Sequence, residues 1–380
     1  MHGIKTNLLT SAARSITTAA TAIIGLVATA PDADADTFPL DTPVLLSDVR
    51  GALSKAGTTG TLYTALSAIV DICSPYVIVV RVAVDAQNQD AKVLGATGSP
   101  SYTGMQALLT ALARTGKQPR ILGAPGLDTH AVTTGLIALA KRLRGFVYAM
   151  AQATKRDEAV TYAADFTDRE CMLFWPATSA GDADTIGRAL GLRAYIDGTQ
   201  GWQKTISNVV ISGVTGIAAD VSWAMDDDTT DAAILNAANI TTLIHYDGYR
   251  FWGNRTTSSD SVWQFESAVR SSQVLQDTFQ AGLFWAMDKP ITAGLVKDMI
   301  STINGALRKM VAKGQLIGGS CWYDASKNAS GDLASGQLAL DYDFTPCAPL
   351  EGLTENQTIT DTYYDSFASA LTSTTTASAS

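Results

Sequence analysis

Chemically capable side chains are densest in residues 234–260, which read ILNAANITTLIHYDGYRFWGNRTTSSD. Two arginines, Arg250 and Arg255, stand there among aromatic rings and carboxylates. Exposed guanidinium groups bind phosphates or oxyanions, whereas packed ones pair with carboxylates. The stretch therefore predicts either an anion-binding site or a structural joint. Gly248 and Gly253 would permit the turns that either arrangement needs.

Histidine, the commonest general base, is scarce: the chain has only His2, His130 and His245. His245 follows an apolar run, which predicts a position at a strand end, where α/β enzymes often place catalytic groups. No G-x-S-x-G turn supplies a serine nucleophile, and no G-x-G-x-x-G or P-loop sequence supplies a phosphate cradle. A catalytic triad is therefore disfavoured, and an α/β hydrolase or peptidase-like enzyme remains only as the alternative function.

Two acidic runs could offer oxygen ligands to a metal ion, DADAD at 32–36 and MDDDTTD at 225–231. The first lacks the glycine and the glutamate of a calcium loop, because Thr37 and Pro43 occupy those positions. The second is typical of an acidic turn before a helix. The four cysteines form no C-x-x-C pair, which predicts reduced thiols. We therefore expect no metal ion, no cofactor and no catalytic residue.

Charge and hydropathy exclude two classes of partner. The formal net charge is −9, which opposes binding to a nucleic-acid backbone. No apolar run is long enough to span a bilayer, so membrane insertion is not expected. Residues 15–30 have the outline of a secretory signal, but threonines dilute the apolar part. The same residues are equally typical of a buried strand closed by Pro31.

Residues 21–257 alternate between continuous apolar runs and helical patterns, which predicts a doubly wound, largely parallel α/β domain. The predicted strands are 22–28, 43–47, 76–82, 120–125, 145–150 and 171–176. The predicted helices are 61–72, 104–115, 129–143 and 156–165, with Asp128 or Thr129 as a cap of the third.

Residues 258–354 have a different character, which predicts an α+β domain. Apolar positions at helical spacing predict long helices at 260–286 and 292–313, and Gly314 suits the residue after the second. Strict alternation at 337–344 predicts a half-buried antiparallel strand. Residues 1–20 are too poor in large apolar groups to pack alone and predict an N-terminal arm. Residues 355–380 predict a C-terminal arm with a disordered tail.

Motifs spread along nearly the whole chain resemble those of contractile tail sheath proteins from P2-like phages and R-type pyocins. They are QPRILGAPG (118–126), DGYRFWGNRTTSSD (247–260), AGLFWAMDKPIT (281–292) and DYDFTPCAPLEGLTENQTIT (341–360). One departure is Gln203-Lys204, where relatives often have Ser-Pro. The resemblance implies a subtilisin-like α/β domain without protease chemistry, a C-terminal α+β domain and extended terminal arms.

The resemblance also implies a function: a structural subunit, not an enzyme, that polymerises as six-fold rings around a tail tube. Contraction of such a sheath drives the tube through a bacterial envelope. The implied partners are further copies of the chain, the tail tube protein, and baseplate and tail terminator proteins. The implied location is the virion tail or a tailocin particle, assembled in the host bacterial cytoplasm.

Three sets of residues follow from the resemblance. The arms would join a neighbour's C-terminal sheet as added strands, through Gly3, Ile4, Thr358, Ile359 and Thr360. The joint would comprise Asp247, Tyr249, Arg250, Trp252, Asn254 and Arg255, with the two arginines paired to carboxylates such as Asp247 and Asp260. A basic face of the helix at 292–313 would meet the tube through Lys297, Arg308, Lys309 and Lys313. Complementing the helix dipole explains most of these four charges equally well.

Overall fold

A computed structural model describes residues 16, 18–98, 101–364, 366 and 367. Its main feature is an eight-stranded sheet in the order β2-β3-β1-β4-β5-β6-β7-β8. The strands are β1 (Ile23–Thr29), β2 (Pro43–Leu46), β3 (Tyr76–Val82), β4 (Ile121–Gly123), β5 (Phe146–Met150), β6 (Cys171–Phe174), β7 (Ile240–His245) and β8 (Tyr249–Trp252). Neighbours from β3 to β7 pair in parallel, and the edge strands β2 and β8 pair antiparallel. The sheet is therefore mixed but mainly parallel.

Helices cover both faces of this sheet. They are α1 (Val49–Ala52), α2 (Leu62–Val70), α3 (Gln89–Leu94), α4 (Ala111–Thr115), α5 (His130–Leu143), α6 (Arg156–Ala163), α7 (Asp182–Thr199) and α8 (Asp231–Ala237). Alternate side chains of β1 separate two apolar clusters: Leu26 packs with α2 and α7, and Val27 packs with α5 and α6. A strand buried on both faces has to be apolar throughout, so the continuous runs in the sequence form the strands expected.

Close packing of α7 on α2 depends on a glycine, Gly187, which has no side chain to separate the helices. A Cβ atom at Gly187 would lie 2.8 Å from the Cβ of Ala68 and 2.9 Å from the carbonyl oxygen of Ala65. These separations are too short for any larger residue, so the glycine brings the two helix axes together.

A smaller α+β part follows the sheet in the chain. It consists of α9 (Glu266–Leu283), α10 (Ala293–Ala312), β9 (Leu316–Trp322), α11 (Ser330–Ala334) and β10 (Asp341–Pro346). Antiparallel β9 and β10 pack on α9 and α10 around a third apolar cluster that includes Leu275, Leu307 and Tyr342. Gly314 has φ +67 and ends α10 as predicted.

Several predicted bounds were wrong, for local reasons. The helix expected at 104–115 is 3-10 over Gly104–Thr110 before α4 begins. The helix expected from 260 begins only at Glu266, because Asp260 caps a separate 3-10 turn at Ser261–Trp263. The strand expected at 337–344 begins at Asp341, after Asn328 binds the main chain of Ala339 through its side chain.

Six elements had no counterpart in the prediction: α1, α3, α7, α11, β8 and β9. Buried positions occur all round α7, which blurs its helical period. The strand prediction at residues 22–28 is confirmed, since β1 lies between β3 and β4 in the sheet.

The chain divides into two compact units, Met1–Pro349 and Leu350–Ser380. In the second unit, residues 351–360 have no regular secondary structure and their side chains are exposed. The predicted boundaries at residues 20, 257 and 354 remain predictions. No helix in the described part of the chain is long and apolar enough to cross a membrane.

Candidate functional site at the joint between the sheet and the C-terminal helices

Residues 240–260 form the β7–β8 hairpin and the chain segment that leaves it. Asp247 and Gly248 both have positive φ, of 47° and 99°, and form the tight turn between the strands. Tyr249 and Trp252 lie in β8, the last strand of the sheet. The predicted joint residues are therefore consecutive on one path that leads from the sheet edge toward α9.

Arg250 holds this hairpin in place, but not by the ion pair predicted. Its Nε donates to the carbonyl oxygen of Tyr246 at 2.9 Å, and Nη2 donates to the carbonyl oxygen of Asp247 at 3.3 Å. Nη1 reaches both oxygens of Asn208 at 3.2 and 3.3 Å. The prediction of a pair with the Asp247 carboxylate was wrong, because the side chain folds back over its own turn and meets main-chain oxygens. Asp260, the other expected carboxylate, accepts from the N–H of Val262 at 2.9 Å.

Aromatic rings brace the outer side of the hairpin. The rings of Trp252 and Trp223 meet edge to face, with centroids 5.5 Å apart. The Tyr249 ring lies 4.5 Å from that of His245, and its hydroxyl donates to the carbonyl oxygen of Thr215. Packed aromatic rings supply rigid contact area, which suits a structural joint.

The chain leaves the sheet at Gly253, where φ is +144. A Cβ there would lie 2.8 Å from the Cα of Thr241, so only glycine fits. The next two residues connect to the start of α9. The carbonyl oxygen of Asn254 accepts from the N–H of Glu266 at 3.1 Å, and Arg255 forms an isolated antiparallel bridge with Phe265.

Beside this path lies a buried ionic cluster between α7 and α9 that was not predicted. The side chains of Arg193 and Asp197 on α7 and of Glu266 on α9 are fully buried, and that of Arg270 is 2% exposed. Arg193 Nη1 lies 3.1 Å from Glu266 Oε1, and Nη2 lies 2.7 Å from Asp197 Oδ1. The second contact is an ion pair without hydrogen-bond alignment, since Oδ1 has no hydrogen-bond partner among the described residues. Asp197 also pairs with Arg270, and the Tyr148 hydroxyl donates to Glu266.

The cluster shifts the pKa values of Arg193 and Tyr148. Burial alone would lower the pKa of Arg193, but the carboxylates of Asp197 and Glu266 outweigh burial and raise that pKa. Burial and then the charge of Glu266 raise the pKa of Tyr148 well above its ordinary value. Arg193 therefore stays charged, and the Tyr148 phenol stays neutral.

Lys204, which departs from the sequence of relatives together with Gln203, borders this cluster. Arg193 Nη1 also donates to the carbonyl oxygen of Lys204 at 2.8 Å. The Lys204 ammonium turns onto the carbonyl oxygens of Thr205 and Ser207, and burial lowers its pKa. The loop thus contributes a main-chain acceptor to the joint.

A second ionic contact lies further along α9. The Asp277 carboxylate accepts from Arg144 Nε at 2.6 Å and forms an ion pair with Arg120, whose Nε lies 2.6 Å from Oδ2. Arg120 and Arg144 precede β4 and β5, and Gln273 donates to the carbonyl oxygen of Gly145 at 2.7 Å. Eleven residues separate Glu266 from Asp277, roughly 16 Å along a helix. Polar contacts therefore bind most of the length of α9 to the sheet.

A signal for the missed cluster was present in the sequence. Arg193 precedes Asp197 by four residues, and Glu266 precedes Arg270 by the same interval, so each pair lies on one helix face. The neighbouring positions are mostly small or apolar, which is unusual for a solvated charged face. Sequence alone could not show that the two faces meet.

The carboxyl edge of the sheet, where an α/β enzyme would carry its site, holds a structural carboxylate. Asp128 follows β4, is 1% exposed, and accepts from the N–H of Met150 at 2.5 Å. Burial raises its pKa to about 7. A side chain so enclosed cannot reach a substrate. In the described ranges, no three His, Cys, Asp or Glu side chains are grouped to hold a metal ion.

The other predicted sites are the two terminal arms and the basic face of α10. Gly3 and Ile4 are outside the described residues. Thr358, Ile359 and Thr360 are exposed in the second unit, with Ile359 at 95%. The side chains of Lys297, Arg308, Lys309 and Lys313 are all exposed. Lys313 is the C-cap of α10, and the spacing of the four places them roughly within one half of the helix surface.

Three family models cover most of the chain. The phage tail sheath protein central domain matches residues 101–257, and the phage tail sheath C-terminal domain matches 258–360. The domain III N-terminal region of the tail sheath protein Gp18 matches 21–82. The tail sheath protein of Escherichia phage P2 is 44% identical over 381 residues, with 95% of this chain and 96% of the relative covered. The chain belongs to the phage tail sheath family.

Further comparisons agree with this family. The major tail sheath protein of Serratia phage KSP20 is 45% identical over 379 residues, covering 96% of each protein. The helical sheath of the anti-feeding prophage in its contracted state has the same fold, with a TM-score of 0.73 at 17% identity. That match covers 94% of this chain and 98% of the other. Tail sheath proteins are structural proteins rather than enzymes, so the alternative of a hydrolase has no support.

Removing one charge from the cluster should destabilise the tail sheath subunit strongly. Glu266→Ala leaves two buried arginines to share Asp197, and we expect a loss of about 3–5 kcal/mol in the free energy of unfolding. Tyr148→Phe deletes only one hydrogen bond to the same carboxylate and should cost about 1–2 kcal/mol. Urea unfolding of the soluble subunit measures both. Equal losses in the two variants would contradict a charge-based joint.

Asp128 should make stability depend on pH. The folded chain keeps the Asp128 proton up to about pH 7, whereas the unfolded chain releases it near 3.8. This group therefore favours folding at low pH, and that contribution is lost as pH rises from about 4 to about 7. Asp128→Asn cannot titrate and keeps an acceptor for the Met150 N–H, so its melting temperature should gain on wild type between about pH 4 and pH 7. Asp36→Asn on an exposed loop is the control, and a pH-independent difference for Asp128→Asn would refute the assignment.

Proposed function

We propose that this chain polymerises with further copies of itself as six-fold rings around a tail tube and contracts to drive the tube through a bacterial envelope. The observation that carries the proposal is the 44% identity to the phage P2 tail sheath protein over nearly the full length of both. The shared fold with a contracted helical sheath supports it. The particle is a virion tail or tailocin assembled in the host cytoplasm, with tail tube, baseplate and tail terminator proteins as partners.

The domain organisation belongs to the same proposal. Residues 21–257 form a doubly wound, subtilisin-like domain without catalysis, and residues 258–354 form a separate α+β domain. Apolar clusters on both faces of a mainly parallel sheet support the first assignment. The change between family matches at residue 257, and the separate third cluster, support the second.

The joint passes load between these two domains. Contraction requires subunits to rotate against their neighbours without coming apart, so each subunit needs a stiff interior. Arg250, the aromatic contacts of Trp252, and the buried pairs of Arg193 and Glu266 supply that stiffness. Asn254 and Arg255 then carry the chain into α9.

The arms link neighbouring subunits by adding strands to the β9–β10 sheet. A two-stranded sheet is marginal by itself and gains stability when further strands pair with it. Thr358, Ile359 and Thr360 are β-branched and exposed, as a donated strand requires. Gly3 and Ile4 belong to the other arm, whose base is anchored: Ile16 packs on the third cluster and the Ala19 N–H donates to Thr278.

The exposed basic residues of α10 face the tube protein. Lys297, Arg308, Lys309 and Lys313 present positive charge on a chain that is acidic overall. Positive charge is the less common sign on this chain, so its concentration on one helix surface favours contact with an acidic partner surface.

Loss of the N-terminal arm should stop polymerisation without unfolding the subunit. A chain lacking residues 1–15 keeps Ile16 and Ala19, so its melting temperature should match that of wild type. Electron microscopy should show no sheath-like tubes for this chain, because the link between subunits is gone. A chain lacking only residues 371–380 is the control and should polymerise normally. Tubes at normal yield without residues 1–15 would refute the arm proposal.

Reversing charge on α10 should weaken assembly on the tube. Arg308→Glu with Lys313→Glu should reduce tube-templated sheath several-fold at low salt, because attraction becomes repulsion. The difference from wild type should shrink as salt rises to about 0.5 M, where charges are screened beyond a few ångströms. Arg50→Glu with Arg114→Glu, which changes exposed arginines elsewhere, is the matched control. Assembly at wild-type yield in low salt would remove α10 from the tube contact.

A further inference from the structure

The chain is fastened to α9 before it enters the sheet. Residues 16–22, which we call the strap, precede β1 and contact the side of α9. Ile16 packs on the third cluster, and the Ala19 N–H donates to Thr278 Oγ1 at 3.2 Å. Thr278 and Gly282 are four residues apart, so they lie on one face of the helix. Two points on a single helix face therefore hold the strap.

Gly282 receives the side chain of Ile16. A Cβ atom at Gly282 would lie 2.5 Å from Ile16 Cδ1, 2.6 Å from Cγ1 and 2.8 Å from Cγ2. Glycine weakens the interior of a helix, and the docking of Ile16 explains why one stands at this position of α9. The absent side chain leaves a notch that fits the branched end of Ile16.

The remainder of the strap is held weakly. Among the described residues, the bond from Ala19 is the only hydrogen bond that the strap forms, and none of its side chains is fully buried. Residues 18–22 line one side of a cavity of about 520 Å³, which Trp202 and Gln315 also line. Trp202 Nε1 and Gln315 Oε1 are buried without a hydrogen-bond partner in the part of the chain that the structure describes. The strap therefore spans a gap instead of packing along its whole length.

Strand β1, which follows the strap, is held firmly. All seven of its residues are buried, and it pairs with β3 on one side and with β4 on the other. The carbonyl oxygen of Ile23 also accepts from the N–H of Arg120 at 2.9 Å. Local opening begins where contacts are few, so a pull on the arm should detach the strap and stop at Ile23.

We propose that the strap is a releasable latch: Ile16 leaves the Gly282 notch when the sheath contracts, and residues 16–22 become free chain. This inference rests on the proposed function as a contracting sheath. Seven extended residues reach roughly 23 Å, so the point from which the arm leaves the subunit can move by a distance of that order. No strand pair breaks, and the ionic cluster between α7 and α9 stays intact.

A disulfide can lock the latch. The γ carbons of Ile16 lie beside the position of a Cβ at Gly282. Ile16→Cys with Gly282→Cys therefore brings the two Cβ atoms within the about 3.5–4.5 Å that a disulfide spans. Particles assembled with the reduced variant and then oxidised should keep a long sheath when contraction is triggered, as measured by electron microscopy.

Reductant should restore full shortening of the locked sheath, and Ile16→Cys alone, oxidised in the same way, should contract normally. Shortening of the cross-linked variant to the wild-type length would overturn the inference. Failure of the disulfide to form in the unassembled subunit would also overturn it, because Ile16 would then not occupy the notch.

Gly282→Ala tests the notch by filling it. The added methyl group displaces Ile16, whereas Gly331→Ala in α11 places its methyl group where no atom lies within 4 Å and is the matched control. Hydrogen exchange measured by mass spectrometry should be at least tenfold faster for residues 16–22 in unassembled Gly282→Ala than in wild type, with β1 unchanged.

Wild-type particles should show the same rise in exchange of residues 16–22 when they contract. Equal exchange of these residues in long and contracted wild-type sheaths would refute release of the strap. If the wild-type chain forms no contractile sheath, the proposed function itself fails.

Discussion

The arrangement of the C-terminal half depends on charge burial between α7 and α9. Four fully or almost fully buried charged side chains, Arg193, Asp197, Glu266 and Arg270, neutralise one another there. Such a cluster contributes little net stability compared with apolar packing, but any displacement of α9 would leave a charge without its partner. The ionic cluster therefore selects one position for α9, and α10, β9 and β10 follow from it.

Helix α7 connects this constraint to the main sheet. One side packs on α2, where Gly187 permits close approach, and the other side carries Arg193 and Asp197. The same helix thus belongs to the apolar core and to the ionic joint. In a tail sheath subunit this gives a continuous stiff path from sheet to C-terminal strands, and the proposed motion is left to the links between subunits.

In the described part of the chain, three strand edges are covered by other groups or begin with a residue that cannot donate a hydrogen bond. On β8, the N–H of Asn208 and the N–H of Ile211 donate to main-chain oxygens of the strand and cover its edge. At the opposite end of the sheet, β2 is short and begins with Pro43, which cannot donate. Asn304 closes one edge of the small sheet.

The sequence by itself determined the features set by near neighbours in the chain: the buried parallel strands, the Thr129 cap, the Gly314 helix end and the family motifs. Tertiary structure alone decided which groups meet. Arg193 and Glu266 are 73 residues apart, and Tyr148 and Glu266 are 118 apart. Arg250 likewise donates to carbonyl oxygens and not to the nearby carboxylate of Asp247. Propensity and periodicity act over a few residues, whereas a buried charge or an open strand edge is defined only by what the folded chain brings beside it.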